Sequence, residues 1–212
     1  MVSKRPEVAA GPHDGSENGT TAAAPADARE RIIRTAYDLF SRYGVRAIGV
    51  DRIVAEAGIA KTTLYRNFRS KDELVVAVMA RREELWTHGW LEREIERRAD
   101  TPAAQLLAIF DAFDEWFRLP DFESCLFIAT LLESHDPSGQ VGAAAIMGLI
   151  DAHSLVRRLA EAAGARDPDR LGHEWRILMI GSIVSATAGY LDAAQRAQEL
   201  GSLLLEREGI ST

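Results

Sequence analysis

From about Asp27, apolar residues recur at helical spacing. Ile33, Ala36, Tyr37 and Phe40 fall at i, i+3, i+4 and i+7, and Ile32, Leu39 and Tyr43 widen the stripe. Gly44 follows as a left-handed C-cap, leaving Val45 to fold back onto the stripe. A shorter pattern runs through Val50–Lys71. Ile53, Val54, Ala57, Ile59 and Leu64 form the inner side of two short helices hinged at Gly58. Glycine suits that hinge because it enters the left-handed region without strain. The first of these helices opens at Gly49 or Val50; the second spans about Ala60 to Asn67, with Phe68 anchoring its end. Ser70 and Glu73 have capping-box spacing, the Ser70 hydroxyl accepting from the Glu73 N–H while the Glu73 carboxylate reaches back. A long helix is predicted from there, with Leu74, Val78, Leu85 and Trp86 continuing unbroken to about Arg98.

The remainder also reads as helices. Thr101 and Pro102 cap and start one that carries Leu106, Ile109, Phe110, Phe113 and Phe117. Leu119-Pro120-Asp121 breaks it, and residues 122–135 form a short apolar helix before the loop Asp136-Pro137-Ser138-Gly139. Residues 140–163 form another helix, ended by Gly164; Asp167-Pro168 starts the next, to about Tyr190, and a last one covers residues 192–207. No alternating strand pattern and no internal repeat appear. The pattern predicts an all-α chain of about nine helices. Residues 1–26 have no hydrophobic period and cannot bury enough surface to offset their ordering entropy, so a disordered tail is expected there. The division is therefore a tail (1–26), a three-helix head (27–74) and a helical body (75–212).

Charge separates head from body. The net charge of the 212 residues is −7. Residues 27–74 carry ten cations against seven anions, a balance of +3, whereas residues 75–212 carry 13 against 22, a balance of −9. Local charge, not bulk pI, is what a phosphate backbone feels. One cysteine, Cys125, excludes an intrachain disulfide and fits a reducing cytoplasm. No apolar run reaches the roughly 20 residues of a membrane span, and the N-terminus has no apolar leader core, so a cytoplasmic protein is expected.

Candidate chemistry concentrates on the outer face of the second short helix, where Lys61, Thr62, Thr63, Tyr65 and Arg66 leave hydroxyls and cations, with Arg69 and Lys71 following. That is the chemistry a DNA groove asks for. No catalytic constellation forms. Cys125 has no sequence-evident base, the five histidines lack metal spacing, and no glycine-rich phosphate loop is present, so neither enzyme nor cofactor is expected. Glu133, His135 and Asp136 read as a solvated loop end. The body aromatics (Trp86, Trp90, Phe110, Phe113, Trp116, Phe117, Phe122, Phe127 and Trp175) read either as core or as the walls of an apolar cavity oriented by His88, His153 or Glu133.

The ordered set Ile32-Ile33, Ala36, Leu39-Phe40, Gly44, Ile53, Ala57-Gly58-Ile59, Lys61, Thr63-Leu64-Tyr65, Phe68, Ser70-Lys71 and Leu74 resembles the N-terminal domain of the tetracycline-repressor (TetR) family of transcriptional regulators. It covers about a fifth of the chain; the remainder resembles the family in length and helical pattern. Ala60 stands where the family usually has Ser, Gly49 where Thr is common, and Val54 where a small Ala is usual. The resemblance implies phosphate contacts for Tyr65 and Lys71, with Lys61, Thr62 and Thr63 at base edges and Arg66 on the same face. It also implies a homodimer built on the last two helices, where Ile177, Ile180, Ile183 and Val184 mix with small residues and Leu200, Leu203 and Leu204 form a stripe. Finally it implies a small-molecule pocket in the body, with His88, Phe110, Phe113, Phe127, His153 and Trp175 as candidate lining. The expected function is a ligand-responsive regulator, a repressor bound to a near-palindromic double-stranded operator and released by an apolar effector. The alternatives are a small helical enzyme using the body cavity, or a helical adaptor whose basic head meets an acidic protein.

Overall fold

The computed structural model describes residues 25–120 and 122–211; the expected tail falls outside them up to residue 24. Among the described residues there are ten α-helical segments, one π-helical segment and no strand. The head is α1 (Pro25–Tyr43), α2 (Val50–Ala57) and α3 (Lys61–Asn67). α4 (Lys71–Glu83), a π-helical segment (Glu84–Leu91) and α5 (Glu92–Arg98) follow without a break as one long rod. The body adds α6 (Pro102–Phe117), α7 (Leu126–Glu133), α8 (Gln140–Ala162), α9 (Pro168–Thr187) and α10 (Ala193–Glu208). Counting the long rod once gives nine helices, the number the pattern predicts. None of them is long and apolar enough to cross a membrane.

The head folds around the residues its pattern selects. Ile32, Ile33, Ala36, Leu39, Phe40, Val45, Ile48, Ile53, Leu64 and Phe68 are all buried in one core. Tyr43 is the exception on the α1 stripe. It is half-exposed, and Arg52 lies over its ring at 4.3 Å, so the stripe ends one turn early. α3 has only seven residues, too few for a stable helix alone; burial of Leu64 and of the C-cap Phe68 holds it. The hinge residue Gly58 has φ +61°, as its place between two helices requires.

The capping box at Ser70 differs from the expected one. The Ser70 hydroxyl accepts from the Glu73 N–H at 3.1 Å, but the Glu73 carboxylate accepts from Arg69 N–H at 2.6 Å, one residue earlier than the reciprocal box requires. Further along, α7 begins at Leu126 and ends at Glu133, not at residues 122 and 135. Residues 122–125 stay non-helical because the Phe122 ring packs across Trp116 and Phe117, with centroids 5.0 and 5.2 Å away. α9 stops at Thr187, three residues short, where the chain turns through Gly189 at φ +98°.

In the body, α8 packs against α4, α7 and α9, and α10 packs against α6 and α9. Trp175, fully buried, lies against Phe110 at 5.5 Å between ring centroids. The head boundary expected at Leu74 falls inside α4, whose Leu74, Val75 and Val78 are buried in the same continuous core as head and body residues. Head and body therefore share a rod.

Candidate nucleic-acid interface

α3 presents its outer face to solvent. Lys61, Thr62, Tyr65 and Arg66 are exposed, and Thr63 is half-buried with its carbonyl accepting from the Asn67 side chain at 2.9 Å. Lys61 Nζ rests on Asp51 of α2 at 2.7 Å, and that hydrogen bond raises its proton affinity. Both side chains are largely exposed, so the pair is weak and yields readily to a competing anion. Five of the six residues assigned to DNA thus share one helix. Neither helix of the motif has a side-chain N-cap: Gly49 and Ala60 occupy those positions without a side-chain hydrogen bond.

Lys71, the sixth, is placed differently. Its ammonium donates to the Val45 carbonyl at 2.6 Å and lies 5.9 Å from the centre of the Phe40 ring. Partial burial lowers its pKa, against the opposing pull of Asp72 and Glu133. The start of α4 is thereby tied to the loop between α1 and α2. The same loop is held from the body, because Glu133 at the end of α7 accepts from the Arg46 N–H at 3.0 Å. Gly44 in that loop has φ +80°, and a Cβ there would collide with the Glu133 carboxylate. Glu133, expected at a solvated loop end or in a cavity, is instead a link from body to head. A second link runs from Trp86 through Arg82, whose guanidinium lies 5.4 Å from that ring and donates to the Tyr37 hydroxyl of α1 at 2.7 Å.

The body holds an apolar cleft between the π-helical segment, α7, α8 and α9. Its lining includes Trp86, Phe127, Leu149, Arg176, Met179 and Ile183. With a volume of about 30 Å³ it has room for about two waters. Gly148 of α8 lets the Phe127 ring of α7 pack against the helix, since a Cβ there would collide with the ring at 2.3 Å.

Of the six residues expected to line a pocket, the structure puts only Phe127 on this cleft. Phe110, Phe113 and Trp175 are wholly buried in the core, where the Phe110 ring meets Phe113 edge-on and Trp175 at a tilt. His88 is exposed and bonded to Glu92 at 3.1 Å, on the outer side of the rod. His153 is half-buried against His173, ring centroids 4.4 Å apart, and desolvation holds its pKa down. The aromatic pattern identifies large buried rings but not which of them face a gap. Cys125 also lines the cleft; burial pushes its thiol pKa up, which keeps it protonated and unreactive. Arg176 is the lining residue with no sequence signal, a cation on a helix otherwise read for its small apolar face.

The comparisons with known proteins agree with this geometry. Residues 32–78 match the family described as bacterial regulatory proteins, tetR family. An HTH-type transcriptional regulator of Staphylococcus aureus (strain USA300) is 43% identical over 53 residues, which span 25% of this chain and 29% of the relative. A TetR-type transcriptional regulator of Streptomyces avermitilis, 26% identical, superimposes with TM-score 0.77 over 89% of this chain and 100% of its own. Reduced NemR of Escherichia coli has the same fold, at 20% identity and TM-score 0.75 over 82% of this chain and 95% of its own. Residues 32–78 are thus a TetR-family helix–turn–helix head, carried on a body with the fold of TetR-family regulators.

Proposed function

We propose that the chain is a homodimeric, cytoplasmic, non-enzymatic repressor of transcription that sets α3 into the DNA major groove and is released by a small effector bound in the body. The observation that carries this reading is the outer face of α3, which combines Lys61, Thr62, Tyr65 and Arg66 in the one net-basic part of an acidic chain. Lys61, Thr62 and Thr63 are assigned to base edges; Tyr65 and Arg66 are assigned to phosphates. Lys71 acts mainly by holding the α1–α2 loop, which fixes where α2 and α3 meet the backbone.

Dimerisation is assigned to α9 and α10. Ile177 (69% exposed), Val184 (48%), Leu200 (51%) and Leu203 (59%) form an uncovered apolar face, and Gly181 within it faces open space into which a second helix can approach. Ile183 and Leu205 of the same helices are buried in the protomer, so the two helices serve its core and still offer a face. An isologous pairing imposes a near-palindromic operator.

The effector acts through the two links already described. A molecule entering the cleft must displace Trp86 or Phe127. Trp86 bears on Arg82 and α1, and Phe127 shares the eight-residue α7 with Glu133. Either displacement shifts the head against the body, by no more than the effector's differential affinity for the two states. Mobility shift of duplexes from the DNA flanking the gene tests the reading. A saturable, salt-sensitive shift abolished by Thr62→Ala with Arg66→Ala supports it, and the absence of any shift at low salt defeats it.

A further inference from the structure

The first residue of α3, Lys61, is a cation, the wrong charge for a helix start, where aligned peptide dipoles leave a partial positive charge. Ala60 before it offers no side-chain acceptor, so nothing within α3 offsets the mismatch. Helix α2 does. The Asp51 carboxylate accepts from Lys61 Nζ at 2.7 Å, across the turn between the two helices. The Asp51 and Lys61 side chains are 82% and 52% exposed, so the pair adds little to stability. The neighbouring cations are held differently. Arg52, the one cation of α2, is bonded to Glu56 at 3.0 Å and lies over the Tyr43 ring. Arg66, the other cation of α3, has no ion pair among the described residues. A lysine at the start of α3 thus breaks a local rule of helix formation, and a carboxylate from a second helix holds it. Broken local rules of this kind concentrate at functional sites.

We infer that Asp51 is a specificity-determining positioning residue, which holds the Lys61 ammonium for a guanine edge and denies it to phosphate. This rests on the reading of α3 as the helix set in the major groove. The lysine stem is flexible, and an ammonium pinned by Asp51 has already lost much of that freedom when the groove arrives. One of its three N–H donors is spent on Asp51, and two remain for DNA. Guanine presents two neutral acceptors in the major groove, O6 and N7, so the ammonium can donate to them while it keeps its carboxylate. A phosphate is an anion. Asp51 repels it, and it takes the ammonium only by displacing that carboxylate. Non-cognate binding runs almost entirely on phosphate contacts, so the pair weakens it more than cognate binding. Asp51 itself needs to touch no base, because its effect passes through Lys61.

Selection from a randomised duplex library, with the full chain and its variants, tests this. Wild type is expected to enrich a site with guanine at one position of each half-site, and Lys61→Ala to lose that preference. Asp51→Ala weakens the preference about threefold at that same position and at no other, the size of an exposed ion pair. Its affinity for a non-cognate duplex rises about threefold, and the salt slope on that duplex steepens by about one. Asp51→Glu, which keeps the charge on a longer stem, restores part of the preference. In the Lys61→Ala background, Asp51→Ala changes base preference no further, a non-additivity that a general loss of head stability would not give. The inference is overturned by an unchanged guanine preference in Asp51→Ala, by a loss at a position other than the one Lys61 reads, or by a Lys61-dependent position that prefers another base. Unchanged non-cognate affinity in Asp51→Ala overturns it as well. A wild-type site whose preference is indifferent to Asp51 removes this inference and leaves the regulator standing; enrichment of no site at all removes both.

Discussion

At the scale of single residues, two missing caps and one buried acid set measurable properties. Ala60 is an exposed N-cap with extended backbone (φ −75°, ψ 146°) and no side-chain hydrogen bond, which leaves a helix-terminal N–H of α3 without the partner a hydroxyl would give. Ala60→Ser supplies that partner and stabilises the protein by about 1 kcal/mol, read as an upward shift in the thermal midpoint. Glu83 is the acid. Burial, then the facing Asp151 carboxyl, pushes its pKa up to about 7, and both its oxygens are buried without a hydrogen-bond donor. Protonation of Glu83 removes the buried charge facing Asp151. Because the folded-state value lies above the ordinary carboxyl range, folding favours the protonated form. Its stabilisation is complete at acid pH and is lost as pH rises through about 7. Glu83→Gln carries a permanent donor. It should therefore melt several degrees above wild type at pH 8, with the gap closing toward pH 5; a gap independent of pH would contradict the protonation of Glu83 on folding. Glu83 had no sequence signal, since its partner lies 68 positions away on another helix.

At the scale of elements, helix existence was legible and helix junctions were less so. The stripes of α1 and α6 follow from spacing alone, because one apolar face must be buried whatever it meets. The start of α7 was not legible, since Phe122-Glu123-Ser124-Cys125 contains no glycine or proline to mark a boundary, and the Phe122 contacts with Trp116 and Phe117 hold that stretch outside the helix. The π-helical segment left one trace, Gly89 within an otherwise unbroken helix, where a Cβ would approach the Glu84 carbonyl at 2.9 Å. Glu133 belongs to this scale because it joins α7 to the head. Glu133→Ala removes the acceptor for Arg46 N–H, and it should weaken the coupling between cleft and head more than it weakens DNA binding itself. The measurement is the ratio of operator affinities with and without a compound found, in a screen, to release the wild-type protein from its operator; that ratio should fall toward one in the variant. Lys71 is the matching case on α4. Loss of its bond to the Val45 carbonyl in Lys71→Ala should lower stability and operator affinity while leaving the salt slope intact, whereas Arg66→Ala should reduce that slope by about one.

At the scale of the whole molecule, the division into basic head and acidic body is legible from charge alone, because the two balances differ in sign. The order of head residues carried the family resemblance; the body gave only its helix count, since a cleft depends on which large rings meet a gap and which meet each other. The exposed face of α9 and α10 is also a whole-molecule property. Ile177→Asp with Leu203→Asp places charges on that face without touching the protomer core, and should give a folded monomer by sedimentation that loses cooperative operator binding. A dimer that survives both changes would move the interface elsewhere.

The central claim is that α3 reads DNA as one of two symmetric heads, and footprinting on the DNA flanking the gene tests it most directly. The account predicts protection of an approximately palindromic site whose half-sites lie about one helical turn or a multiple of it apart, roughly 34–36 Å per turn. It further predicts altered base preference within each half-site for Lys61 and Thr62 variants. No protection at low salt, or protection whose sequence preference is indifferent to Lys61 and Thr62, would contradict it.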